Sequence, residues 1–241
     1  MRSIERHHFE FESITVRIAE VFHSIQGEGE FAGTPSVFVR TTGCNLRCWF
    51  CDTPYTSWQP EGSRRDWQYV LQDVLKIECS HVVLTGGEPL LQPGIVPLSQ
   101  ALREAGRFVT VETAGTVFRS IDADLMSISP KLSNSMPREA SRWRERHERD
   151  RLRPDVVARM IEMAPYQLKF VIDAAADLDE VVQYLRGVPQ VSPDRVWLMP
   201  QGVSADELVV RTEWLAPAAE RLGFRFSPRR HIELFGHVRG T

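Results

Sequence analysis

Three of the four cysteines fall in one short stretch, GCNLRCWFCDT (residues 43–53), as Cys44, Cys48 and Cys51. Three residues separate the first pair and two the second, so one loop can present three thiolates to a single point. A closed structural zinc site needs four ligands. Three thiolates leave one iron of a cubane iron–sulfur cluster open, since such clusters are held by cysteine. An open iron can bind a substrate or cofactor, so the loop reads as reactive rather than structural. Two other arrangements fit the same residues: a zinc site completed by His23, His81 or His231, and a disulfide beside a free thiol. So few cysteines in a chain of 241 residues argue against a disulfide scaffold. The opening residues, MRSIERHHFE, have no apolar core of a signal peptide. Cys79, just before an apolar run, reads as a buried, inert residue.

The elements that must position this loop are strands and helices in alternation. Residues 1–13 are polar and read as a loose arm or an edge strand. Ile14 to Phe22 alternates and is β-branched, which predicts the first strand. HSIQGEGEFAG (23–33) reads as a loop, because three closely spaced glycines let the backbone turn sharply or approach a ligand. Pro35 to Thr41 is a second strand that delivers the chain into the cysteine loop. Ser63 and Asp66 have capping-box spacing, which predicts a helix from Ser63 with Trp67, Val70, Leu71, Val74 and Leu75 on one face. His81 to Leu84 is a strand running into Thr85, Gly86, Gly87, Glu88 and Pro89.

Further along, a helix is expected over 96–105 and strands over 108–112 and 124–129, the last ending in Ser129, Pro130, Lys131. Residues 133–165 are rich in arginine and glutamate and read as a solvated helical excursion. Strands at 167–172 and 196–199 and helices at 177–185 and 205–222 follow, with a broken strand over 224–235. Strand then helix, about six times, predicts an α/β fold: a partial, open, parallel β/α barrel of about six strands, with right-handed crossovers. The candidate motifs fall just after strands, where ligands collect in such folds. The whole chain, 1–241, reads as a single domain.

Composition is ordinary for a globular protein, and a net charge of −3 leaves no global nucleic-acid footprint. No apolar run approaches a membrane span, and no solenoid repeat is visible. The expectation is a cytoplasmic protein that binds neither nucleic acid nor membrane.

CxxxCxxC followed by a strand-end GGEP is the signature of radical S-adenosylmethionine (SAM) enzymes. HSIQGEG, Arg40 in FVRTTGCN, CDT, TGGEPLL, VETAGT, SPK, LKFVI, LMPQG and HIELFGHVRG follow in order over nearly the whole chain. Together they resemble the 7-carboxy-7-deazaguanine synthase (QueE) family. The resemblance implies a dimeric lyase that contracts 6-carboxy-5,6,7,8-tetrahydropterin to 7-carboxy-7-deazaguanine with loss of ammonia, toward queuosine and other 7-deazapurines. It implies a [4Fe-4S] cluster on Cys44, Cys48 and Cys51, SAM on the fourth iron, Mg²⁺ at Thr53, and an electron donor such as flavodoxin or ferredoxin. Cleavage of the sulfonium would give a 5′-deoxyadenosyl radical.

By the same resemblance Gly87, Ser129, Pro130, Lys131 and Gln201 contact SAM, and Ile25, Gln26, Gly27, Glu28, Arg40 and Thr85 contact the pterin. The chemistry agrees: a guanidinium fork at Arg40 suits the substrate carboxylate, and Glu28 suits its guanidine-like end. Glu112 is a further candidate for SAM, beside Gln201, and Asp52 could assist Thr53. A threonine hydroxyl is a poor sole ligand, so Mg²⁺ there must draw on substrate oxygens and water. Some relatives space the first two cysteines more widely. Some close the site with a terminal proline carboxylate, where this chain has Arg239, Gly240, Thr241 and offers Arg230 or His231 instead. Two rival readings remain: another radical SAM enzyme, such as a glycyl-radical activase, and a zinc-stabilised binding module.

Overall fold

The protein is described here by a computed structural model covering residues 14–241; the reading of residues 1–13 lies outside the described residues. The chain forms β1 (Thr15–Ile25), β2 (Pro35–Thr41), α1 (Pro54–Ser57), β3 (Ser63–Asp66), α2 (Trp67–Leu75), β4 (His81–Gly86), α3 (Ile95–Glu104), β5 (Phe108–Thr113) and β6 (Leu125–Ile128). It continues with α4 (Arg142–Arg151), α5 (Pro154–Ile161), β7 (Tyr166–Ile172), α6 (Asp177–Arg186), β8 (Val196–Pro200), α7 (Ala205–Arg221), β9 (Arg225–Phe226) and α8 (Arg230–Phe235).

One open sheet runs β3-β1-β2-β4-β5-β6-β7-β8-β9. Neighbours from β2 onward are parallel, while β1 is antiparallel to both β2 and β3. The parallel part is six strands plus the two-residue β9, as the strand count predicts; the antiparallel β3-β1 margin is an addition.

Strand alternation divides the chain's side chains between core and site. Val37 and Val39, Val82 and Leu84, Val109 and Val111, Met126 and Ile128, Leu168 and Phe170, and Val196 and Leu198 join the core with helix residues such as Val70, Leu98, Val157, Val181 and Leu215. Each such buried side chain contributes about 1.5–3 kcal/mol. The intervening positions at the C-terminal ends (Arg40, Thr85, Glu112, Ser127 and Lys169) face a cavity on the other side.

Several expectations are corrected. Ser63–Asp66 is strand β3, pairing with Thr15–Ile18, and the helix starts only at Trp67. Asp66 caps it by accepting from the Gln68 N–H at 3.1 Å. Sheet pairing with a distant segment overrides the local capping pattern there. β1 extends through His23–Ile25, so the glycine-rich segment is strand before it is loop. The broken strand over 224–235 is instead β9 followed by α8. Cys79 is half-buried, not buried, with its thiol donating to the Pro35 carbonyl at 3.3 Å. Residues 133–165 are largely helical, but α4 is solvated on one side only: His147 and Arg151 are buried. No helix among the described residues is long and apolar enough to cross a membrane.

Candidate active site

The cysteine loop leaves β2 and is held by contacts from distant parts of the chain. The Trp49 indole donates to the Asn134 carbonyl at 2.7 Å and the Trp58 indole to the Cys48 carbonyl at 2.9 Å. The Arg47 N–H donates to His147 Nδ1 at 3.0 Å, so the other ring nitrogen carries the proton toward Ser135 Oγ, 2.9 Å away. Burial, with Arg151 nearby, pushes the His147 pKa down to about 4, which keeps the ring neutral. The Arg47 guanidinium lies 4.0 Å from the Trp143 ring centre and donates to the Cys44 and Leu46 carbonyls. The inner side of α4 therefore braces the loop.

Cys44, Cys48 and Cys51 line one cavity of about 420 Å³ and form no disulfide. Burial pushes the Cys44 and Cys48 thiols up to about 12. Cys51 Sγ lies 3.3 Å from Ser57 Oγ. The three histidines that could complete a zinc site are differently placed. His81 sits between Ser36 and Thr110 at 2.9 and 2.8 Å, and His23 does not line the cavity. His231 lines the cavity against Gly27, where an added Cβ would lie 1.8 Å from its Nδ1. Three thiols on one cavity with no fourth cysteine fit a cluster that keeps one iron open.

The glycine loop after β4 packs tightly under the cysteine loop. Gly86 has φ +131°, and a Cβ there would lie 2.1 Å from the Thr41 carbonyl oxygen. A Cβ at Gly87 would lie 2.3 Å from the Gly43 carbonyl oxygen. Glu88 is fully buried, accepting from Thr113 Oγ1 and from the Ala114 and Leu90 N–H groups. It ties the β4 and β5 loops together, and burial pushes its carboxyl up.

The same cavity is lined by a group of charges. Lys169 Nζ donates to Glu28 at 2.9 Å and Glu112 at 3.2 Å. Arg229 bonds Glu28 at 3.3 Å and also Asp52. Burial alone would raise the Glu28 carboxyl, but Lys169 and Arg229 hold it below the usual carboxylate range. Burial likewise opposes charge on Lys169, and Glu112 and Glu28 hold its ammonium above the usual range. Glu112 also accepts from Gln26 Nε2 at 3.2 Å and Thr85 Oγ1 at 2.8 Å. Glu28, Asp52 and His231 each bring one ligand atom within 4.8 Å of the others, though Arg229 bonds both carboxylates.

Of the sequence-derived candidates, Ile25, Gln26, Gly27, Glu28, Arg40, Thr53, Thr85, Gly87, Ser129, Lys131 and Gln201 line the same cavity as the thiols. Ser129 accepts from Lys131 Nζ at 2.7 Å. Pro130 is buried and is not among the lining residues. Of the two C-terminal candidates, His231 lines the cavity and Arg230 does not. Sequence reasoning missed Lys169, Tyr55 and Arg229. Lys169 has a legible trace, a lone charge at an alternate position of QLKFVI, and Tyr55 directly follows the cysteine loop in CDTPY; Arg229 has none, since the tertiary fold brings it in.

The sequence profile of the Radical SAM superfamily matches residues 38–132. The chain is 48% identical to the 7-carboxy-7-deazaguanine synthase of Rhodopirellula baltica, over 93% of this chain and 88% of that one. It is 40% identical to the one from Halobacterium salinarum, over 93% and 92%. Its fold is similar to the crystal structure of QueE from Escherichia coli, with a TM-score of 0.62 at 22% identity over 88% of this chain and 93% of that one. With the thiol loop, the glycine loop and the charged wall around one cavity, the chain belongs to the 7-carboxy-7-deazaguanine synthase family of radical SAM enzymes.

Proposed function

We propose that this chain contracts 6-carboxy-5,6,7,8-tetrahydropterin to 7-carboxy-7-deazaguanine with loss of ammonia. Membership of the radical SAM superfamily implies a [4Fe-4S] cluster and SAM. When bound, these supply one-electron cleavage of a C–S bond and the radical that starts the rearrangement. Cys44, Cys48 and Cys51 would hold the cluster. The observation that carries the reading is the shared cavity, lined both by the three thiols and by a paired set of acids and bases.

Each remaining role belongs to a group of this chain. Gly87, beside the thiol loop, presents backbone rather than a side chain to the methionyl end of SAM. Ser129, Lys131 and Gln201 offer a hydroxyl, an ammonium and an amide to its polar atoms, and Pro130 shapes the strand end behind them. Gln26, Glu28 and Glu112 face the polar edge of the pterin, with Ile25 covering a face and Gly27 keeping room for His231. Thr85 orients Glu112. Arg40 uses Nε on Glu20, at 2.7 Å, and turns toward the cavity, where its terminal nitrogens suit the substrate carboxylate. Thr53 would bind Mg²⁺ together with substrate oxygens and water, orienting the substrate and offsetting negative charge. The same reading includes a single domain over 1–241, a homodimer, an electron donor such as flavodoxin or ferredoxin, and a cytoplasmic location.

The test is anaerobic. Reconstituted protein is given reductant, SAM, Mg²⁺ and carboxytetrahydropterin, and product is sought by mass spectrometry. Product that vanishes in Cys48→Ala and falls in Arg40→Ala supports the assignments. Formation of 5′-deoxyadenosine without product would sink the substrate and keep the superfamily chemistry. Activity unchanged without Mg²⁺ would remove the role of Thr53.

A further inference from the structure

Glu20 lies on β1, behind the cavity wall, and binds three side chains that are themselves part of that wall. Its Oε1 accepts from Arg40 Nε at 2.7 Å and from the Tyr55 hydroxyl at 2.7 Å. Its Oε2 accepts from Arg239 Nε at 3.1 Å. Arg40, Tyr55 and Arg239 all line the cavity; Glu20 does not. The three come from three separate elements: β2, α1, and the segment after α8. Glu20 is 16% exposed and Arg40 15%, so their pair is enclosed, while Arg239, at 45%, reaches it from the exposed rim.

Arg239 is fixed further. Its guanidinium lies 4.0 Å from the Tyr55 ring centre, and Nη1 donates to Glu61 at 2.8 Å. Its neighbours Val238, Gly240 and Thr241 also line the cavity, and His237 is bonded to the Asp52 carbonyl at 2.8 Å. The segment after α8 is thus laid along the mouth of the site by named contacts.

Two guanidiniums meet at one corner of the cavity, where Glu20 binds both and Glu61 also binds Arg239, so the junction's charges balance. Both arginines are held through Nε, which leaves Nη2 of each outside the hydrogen bonds found among the described residues. A guanidinium held through Nε gives up part of its rotamer freedom before a ligand arrives, so less is lost on binding a carboxylate.

We infer that Arg239 is a second carboxylate-reading residue beside Arg40, and that Glu20 is the positioning residue that sets both. The inference rests on the proposed reading of Arg40. It makes recognition of the substrate carboxylate depend on the docked segment after α8. A ligand without a carboxylate would offer the free Nη2 groups no acceptor and gain nothing from the junction.

The test uses anaerobically reconstituted enzyme with SAM bound and compares two ligands by calorimetry: 7-carboxy-7-deazaguanine and 7-deazaguanine, which lacks the carboxylate. Arg239→Ala and Glu20→Gln are each expected to weaken the carboxylated ligand about ten-fold, as loss of a charge-assisted contact does. Binding of 7-deazaguanine is expected to change less than two-fold. KM for carboxytetrahydropterin should rise with kcat held within about two-fold, and the double variant should cost less than the product of the single effects. Arg239→Lys should restore part of the preference if charge is what matters. A preference unchanged in Arg239→Ala but lost in Arg40→Ala would make Arg239 a mere surface ion pair and overturn the inference. A preference unchanged in Arg40→Ala as well would refute the reading of Arg40 itself. A melt within a few degrees of the parent guards Glu20→Gln against misfolding.

Discussion

Replacing Lys169 with methionine removes one cation from an enclosed ion group while keeping most of the side-chain volume. Lys169 is 3% exposed, and its carboxylate partners Glu28 and Glu112 are 15% and 22% exposed. Removing one partner of a buried pair costs about 3–5 kcal/mol, because the remaining charge stays desolvated. Arg229 still stands 3.3 Å from Glu28, which favours the lower end, about 3 kcal/mol. For a domain of this size each kcal/mol moves Tm by about 2–4 °C, so the loss should be about 6–12 °C at pH 7.

The pH dependence has a definite sign. In the parent, Glu28 is held below the usual carboxylate range. Its stabilising contribution is therefore present above the ordinary carboxylate pKa and is lost only as pH falls below it. In Lys169→Met, burial raises the Glu28 carboxyl, and its ionised form costs stability at neutral pH. Protonation relieves that cost, so the deficit relative to the parent should shrink as pH is lowered from 7 toward 5. Thermal unfolding of both proteins at the two pH values, followed by circular dichroism, reads this directly. A loss under about 2 °C would show that water already screens the group. A deficit of equal size at both pH values would refute the account of Glu28.

Three other perturbations probe the frame of the site. Gly86→Ala places a Cβ against Thr41 backbone at a φ of +131°, so soluble folded protein should be largely lost; Gly106→Ala, at φ +76° with nothing within 4 Å, should cost only about 1 kcal/mol by urea unfolding. His147→Gln should flatten the acid limb of the stability curve. The folded pKa of about 4 lies below the unfolded value, so neutral His147 contributes stability above pH ~6.5 that is lost as pH falls through about 4. A parent limb unchanged by the substitution would refute this. Cys48→Ser should lose most of its iron and visible absorbance after reconstitution, while Cys79→Ser, half-buried away from the cavity, should retain both.

The site was legible wherever chemistry is written locally. Cys44, Cys48 and Cys51 sit on one loop, so their spacing alone brings the thiols together. Gly86 ends strand β4 and Gly87 follows it, so their position alone puts bare backbone at the sheet's C-terminal edge. Arg40 and Thr85 are alternate residues near the ends of β2 and β4, and alternation places them on the cavity side. Local patterns failed where a distant partner decides. Ser63 to Asp66 has the letters of a capping box, yet pairing with Thr15–Ile18 makes it a strand. The arginine-rich α4 has the letters of a solvated helix, yet His147 reaches the cysteine loop.

By itself, then, the sequence determined the parallel α/β order, the thiol loop and the strand-end motifs, because periodicity and spacing act over a few residues. Tertiary structure alone decided which charges meet. Glu28 and Lys169 are 141 residues apart and Glu20 and Arg239 are 219 apart. Ion pairs at such separations leave no periodic trace in the chain. They form because the sheet and its connections bring those backbones together, and because burial makes an unpaired charge too costly to leave there.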